Sequence, residues 1–154
     1  MASALKDTFK RQLLQAFDSG RVVIGPIKKF SRCQTKIASY PSNCARPHAA
    51  FICDYLRGAV LCNTIHETVD ILSRLGEEFT VVRVISRMAP SVKGFRVILV
   101  HVVVKDSGVR PHKYGWSGWW DKQDVAIIAE VKLCLCVYYL CSCLFIFEYH
   151  NQPL

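Results

Sequence analysis

The feature that most restricts the fold is a run of ten residues, 95–104, within KGFRVILVHVVV, apolar at successive positions rather than at alternate ones. A strand with one wet face alternates apolar and polar residues. A continuous β-branched run instead predicts a strand inside a sheet, covered on both sides. Such a sheet needs further strands and covering helices, and the rest of the chain supplies candidates for both.

Residues 4–18 place Leu5, Phe9, Leu13, Leu14 and Phe17 on one face of an amphipathic helix, which Ser19-Gly20 ends. Residues 22–24 read as a short extended segment, since Pro26 disfavours helix at the residue before it. Lys28, Lys29, Arg32 and Lys36 recur at helical spacings through residues 28–37, and the Pro- and Ser-containing residues 39–48 read as a loop. Residues 49–62 combine a helical turn carrying Asp54 with a strand over 58–62. A helix then starts at a capping box of Thr64 and Glu67. Its expected buried stripe is Ile65, Val69, Leu72 and Leu75, and Gly76 is expected to stop it. Residues 79–85 are β-branched and read as a strand, as do residues 125–133, which carry one carboxylate, Glu130. Helices interrupted by strands in this order predict an α+β fold with a mixed, mostly antiparallel sheet and flanking helices.

The chain of 154 residues is long enough for one core and, at 51% apolar and 21% charged, has the composition of a folded protein. Its net charge of +8 suits an anionic partner: a nucleotide, RNA, an acidic protein or an acidic membrane surface. Eight cysteines would fit a disulfide scaffold. Most lie in apolar runs such as FICDYLRGAVLC, however, and MASALKDTFKRQLL lacks the h-region of a secretory signal. Reduced thiols in the cytoplasm are therefore expected. There is no phosphate-binding glycine loop, no paired-cysteine zinc spacing over hydrophilic loops and no Gly-x-Ser-x-Gly elbow.

Two segments stand apart. Residues 106–124 are rich in Gly and Trp, with Trp116, Trp119 and Trp120 beside Arg110, His112 and Lys113. They can stack on bases, meet a partner, or fold onto the domain edge. The tail LCLCVYYLCSCLFIFEYHNQPL has no charge over residues 133–147. As a helix those fifteen residues would reach only about 22 Å, short of a ~30 Å hydrocarbon core, and a strand suits them equally. The expected organisation is an amphipathic helix over 1–19, a domain over 20–133 and an apolar tail over 134–154.

Four segments carry the candidate chemistry: PIKKFSRCQTKIA, CDYLRGAVLC, KGFRVILVHVVV and AIIAEVKL. Their order and spacing resemble the core of RelA/SpoT-type alarmone synthetases over roughly residues 24–133. The resemblance implies a nucleotidyltransferase-like fold and pyrophosphoryl transfer from ATP to the 3′-hydroxyl of GDP or GTP, chemistry that rests on positioning and charge neutralisation. It implies Mg²⁺ held by Asp54 and Glu130, with Glu130 as general base. It also implies phosphates held by Lys28, Arg32, Lys36 and Arg57, and a guanine stacked on the ring of Phe95 in the Gly94-Phe95-Arg96 element. Lys132 stands where the family has a glutamine after the glutamate.

Each residue also has a plainer reading: Asp54 capping a turn, Phe95 opening a core strand, and the lysines forming a solvated helical face. Glu130, among Ile127, Ile128, Ala129 and Val131, either faces a site or pairs with a basic group such as Arg96, since an unpartnered buried carboxylate is costly. Three functions follow as expectations. They are a guanosine-alarmone synthetase, a non-catalytic relic binding nucleotide, RNA or protein, and a membrane-associated protein using its tail.

Overall fold

The computed structural model describes residues 2–43, 47–88, 96–107 and 125–136. Helix α1 (Ala2–Ala16) leads through a 3₁₀ turn to strand β1 (Val22–Ile24) and helix α2 (Phe30–Ala38). A second 3₁₀ turn, His48–Phe51, precedes strand β2 (Leu56–Cys62) and helix α3 (Ile65–Glu78). Strands β3 (Thr80–Ser86), β4 (Val97–Asp106) and β5 (Val125–Leu135) follow. β5 thus runs two residues beyond the end expected for it. Residues 108–124 of the Trp-rich segment and the tail from residue 137, with the cysteines at 141 and 143, lie outside the described residues.

The five strands form one sheet in the order β1-β2-β5-β4-β3. β2 and β5 are parallel, and the other three pairings are antiparallel. This is the mixed, mostly antiparallel α+β sheet that the order of elements predicted. The most apolar run, β4, lies beside the centre, and the central strand is β5.

The core lies between the sheet and the pair α1 and α3. Leu5, Phe9 and Leu13 of α1 are fully buried against Val100, Val102 and Val104 of β4, Val60 of β2 and Val131 of β5. Each such side chain contributes about 1.5–3 kcal/mol by leaving water. Helix α1 also meets β2 closely. A Cβ on Gly58 would fall 2.9 Å from Leu13 Cδ1 and 3.3 Å from the Phe9 ring. Leu14, expected on the buried face, is exposed.

Half of the expected capping box of α3 forms: the Thr64 hydroxyl accepts from the Glu67 amide at 3.1 Å, whereas the Glu67 carboxylate accepts from the Asn63 amide, one residue before the N-cap, at 2.5 Å. The buried stripe shares Leu75 with the expected one, and Leu72 packs partly buried against the core, but the rest is rotated around the helix. Thr68, Ile71 and Leu75 point inward, while Ile65 and Val69 face outward. Thr68 is tolerated inside because its hydroxyl donates to the Thr64 carbonyl at 3.0 Å. Nor does Gly76 end the helix, which continues to Glu78. It stops where buried Phe79 turns to extended geometry and enters the sheet.

Candidate functional site

Because side chains alternate across a strand, burying Ala129, Val131 and Leu133 of β5 under the helices sends Glu130 and Lys132 to the opposite face. The strand pairings then align partners for them. Arg57 of β2 pairs with Glu130, Glu130 with His101 of β4, and His101 with Arg83 of β3. Four ionisable residues from four strands stand in one row across this face, with Glu130 and His101 in the middle.

The Glu130 side chain is only 12% exposed. One carboxylate oxygen lies 3.7 Å from His101 Nε2, and the other lies 3.8 Å from Lys132 Nζ. The expected partner Arg96 is not among its ion pairs. The Arg96 guanidinium donates to the Met88 carbonyl at 3.3 Å instead. The pairing registers explain the difference: His101 is Glu130's direct neighbour on β4, whereas Arg96 precedes that strand. His101 is the residue that sequence reasoning missed. Its signal was a single histidine inside the apolar run of β4.

Asp54 sits at the edge of this face, two residues ahead of β2. Ile52, almost fully buried, anchors the preceding turn. Tyr40, just past α2, docks on the same turn, its hydroxyl donating to the Phe51 carbonyl at 3.2 Å. This docking sets α2 beside Asp54. One carboxylate oxygen of Asp54 accepts from Lys28 Nζ at 2.5 Å and the other from Lys36 Nζ at 2.8 Å. Asp54 and Lys28 are each 13% exposed and Lys36 36%.

Burial pushes the Asp54 carboxyl up, but the hydrogen bonds and charges of the two lysines outweigh it and hold the group below its ordinary value. Burial likewise pushes the Lys36 ammonium down. The bond to Asp54, with the charges of Asp54, Tyr40 and Glu130, turns the balance upward. Lys36 therefore links the Asp54 cluster electrostatically to Glu130.

Arg57 is fixed where β1 and β2 meet. Its carbonyl accepts from the Gly25 amide at 2.8 Å, and its guanidinium donates to the Pro26 carbonyl at 3.2 Å. A Cβ on Gly25 would come within 3.2 Å of that Arg57 carbonyl, so the glycine permits the approach. The Arg57 Nε is buried and without a hydrogen-bond partner among the protein atoms. Arg32 is exposed on α2 and makes no hydrogen bond or ion pair with the described residues. Phe95 lies outside the described residues.

The structure thus brings together Lys28, Lys36 and Asp54, and aligns Arg57, Glu130 and His101. It joins neither Arg32 nor Arg96 to them. A cleft of about 540 Å³ lies elsewhere, between the end of α1 and α3. Size and chemistry point to different places here. We favour the charged sheet face, because the cleft sets Asp18, Glu67 and Asp70 against only Arg21 and Arg74 and offers an anion little.

No protein-family model matches the chain, and no curated protein matches it by sequence. Solved structures do match in shape. The small alarmone synthetase 2 of Bacillus subtilis superposes with a TM-score of 0.68 at 11% identity, over 99% of this chain and 80% of that one. The fold is that of the small alarmone synthetases. Small alarmone synthetase 1 of Bacillus subtilis, bound to its product pppGpp, gives a TM-score of 0.64 at 14% identity, covering 97% of this chain and 75% of that one. A GTP pyrophosphokinase family protein of Streptococcus pneumoniae gives 0.65 at 12% identity, over 99% and 72% respectively. The chain therefore shares this fold, at very low identity, with small alarmone synthetases, one of them bound to pppGpp. Among its described residues no helix is long and apolar enough to cross a membrane.

Proposed function

We propose that this RelA/SpoT-like domain binds the polyphosphate of a purine nucleotide, ATP, GDP or GTP, on the charged face of its sheet. The observation that carries the reading is the clamp of Lys28 and Lys36 on Asp54. It holds two ammonium groups on one carboxylate, while Arg57 pairs in register with Glu130 and Lys132 lies 3.8 Å from it, so four cations accompany two carboxylates. Such a surplus suits phosphate oxygens. A single nucleotide fits better than RNA or an acidic protein, because Lys28 is largely buried rather than displayed along an outer surface. The unbridged Cys33, Cys53, Cys62 and Cys136 suit the reducing cytoplasm.

Glu130 favours a second reading, pyrophosphoryl transfer from ATP to the 3′-hydroxyl of GDP or GTP. A carboxylate fixed on the open face beside His101 can accept a hydroxyl proton. Mg²⁺, which the fold family implies, would fall to Asp54 and Glu130. Magnesium demands unencumbered oxygen ligands at short range, and here both Asp54 oxygens hold lysines and one Glu130 oxygen lies 3.8 Å from the Lys132 ammonium. The donor set does not fit the metal, and no step is drawn through it.

Calorimetric titration with ATP, GDP and GTP tests the first reading. Binding that weakens with salt and with Lys28→Gln or Lys36→Gln supports it, and the absence of heat for all three nucleotides defeats it. Labelled ATP with GDP or GTP tests the second, which fails if product does not exceed that of a Glu130→Gln control.

A further inference from the structure

The misfit between the carboxylates and a divalent cation has a chemical complement, and it rests on the nucleotide-binding reading above. Asp54 has no free oxygen: Lys28 takes one at 2.5 Å and Lys36 the other at 2.8 Å. The Glu130 oxygens lie 3.7 Å from His101 Nε2 and 3.8 Å from Lys132 Nζ. A divalent cation entering here would meet Lys28, Lys36, Lys132 and Arg57, and their repulsion grows as water is excluded. The same four groups are what a bare polyphosphate needs.

Asp54 is itself a small anion seated between two ammonium groups, and so stands in for a phosphate oxygen pair. In the empty protein it offsets the repulsion between Lys28 and Lys36 and keeps both near the sheet. We propose that this site takes a nucleotide polyphosphate without a divalent metal, the phosphates displacing Asp54 from Lys28 and Lys36. Asp54 is then an internal competitor for the lysines rather than a metal ligand. A metal-free triphosphate carries more negative charge than its Mg²⁺ complex and is the preferred ligand. Lys132, two residues beyond Glu130 on the same face, adds a fixed positive charge where a metal-dependent site would gain from a neutral side chain.

The test uses the full chain and ATP in two conditions, excess EDTA and excess Mg²⁺, followed by titration calorimetry. Binding in EDTA at least as tight as in Mg²⁺ is expected. Affinity lower by about tenfold or more in EDTA overturns the proposal while leaving nucleotide binding intact. Absence of binding in both conditions overturns the nucleotide reading itself, and the proposal with it. The Asp54→Asn variant gives an independent sign. It keeps the shape, removes the competing charge, and should tighten ATP binding in EDTA by about three- to tenfold. Weaker ATP binding by Asp54→Asn in EDTA, with a thermal melt still cooperative, shows that Asp54 is no competitor and overturns the proposal; weaker binding confined to excess Mg²⁺ marks a metal ligand and overturns it too. Direct titration of the protein with Mn²⁺, read by electron paramagnetic resonance, should show the free-ion signal undiminished. Stoichiometric loss of that signal also overturns it.

Discussion

Glu130 and His101 are cross-strand partners at the centre of the sheet, with a Glu130 carboxylate oxygen 3.7 Å from His101 Nε2. Both are largely buried, and the arrangement explains how a carboxylate survives between Ala129 and Val131. A polar group buried among apolar residues is costly without partners in reach, and β4 delivers one by register alone.

Replacing His101 by Leu should therefore cost about 1–3 kcal/mol, because Glu130 is left with Lys132 as its remaining ion-pair partner among the described residues. Adding Glu130→Gln should recover part of that loss. Urea denaturation of the wild type, both single variants and the double variant measures the coupling. Strict additivity of the two changes would show that the pair is not a pair energetically.

Asp54 makes the domain sensitive to acid. Its folded-state carboxyl is held below the ordinary value of 3.8, so its contribution to stability is fully present above that value. The contribution is lost as pH falls through the folded value. Lys36 behaves in the mirror sense. Its ammonium is held above the ordinary 10.5, so its contribution is present below that value and lost as pH rises through the raised one. The Asp54→Asn variant should flatten the stability profile at both ends. Melting temperatures measured below pH 4 and above pH 10 check this. A variant whose acid slope equals that of the wild type contradicts it.

The lysines should separate from Arg32 in binding. Lys36→Gln removes a charge that reaches both Asp54 and Glu130, and ATP affinity should fall by about tenfold. Arg32 is exposed and contacts none of these groups, so Arg32→Gln should change affinity by about twofold or less. Titrations at a single salt concentration compare them. Equal losses would mean that the whole basic face of α2, rather than the Asp54 clamp, binds the phosphates.

Two glycines should respond to alanine with opposite signs. At Gly58 the new methyl meets Leu13 at 2.9 Å and Phe9 at 3.3 Å, and overpacking should cost about 1–3 kcal/mol. At Gly76 nothing lies within 4 Å and the backbone is already helical, so alanine should add up to about 1 kcal/mol. Thermal denaturation resolves both. A stabilised Gly58→Ala variant would mean that α1 packs less closely on β2 than the structure has it.

The elements of the fold were legible where a pattern is local. The amphipathic spacing of Leu5, Phe9, Leu13 and Phe17, the Thr64–Glu67 cap and the β-branched strands each rest on neighbours a few residues apart. The errors occurred where several answers satisfy the same local rule. On α3 Leu75 belongs to both the expected and the observed stripe, and only the packing of α1 and the sheet selects Thr68 and Ile71 over Ile65 and Val69. Gly76 likewise permits a stop without requiring one.

By itself the sequence determined that a carboxylate lies within an apolar strand, that a second precedes another strand, and that a cluster of lysines shares the chain with them. It also determined the mixed sheet, because strand and helix periods are written in adjacent residues. Only the tertiary structure decided what each charge meets. Asp54 meets Lys28 and Lys36 because Tyr40 docks α2 on the turn before β2, and Glu130 meets His101 rather than Arg96 because β4 and β5 pair in one register. Those choices depend on contacts between residues that are distant in the chain, where burial of both partners, and not local preference, sets the free energy.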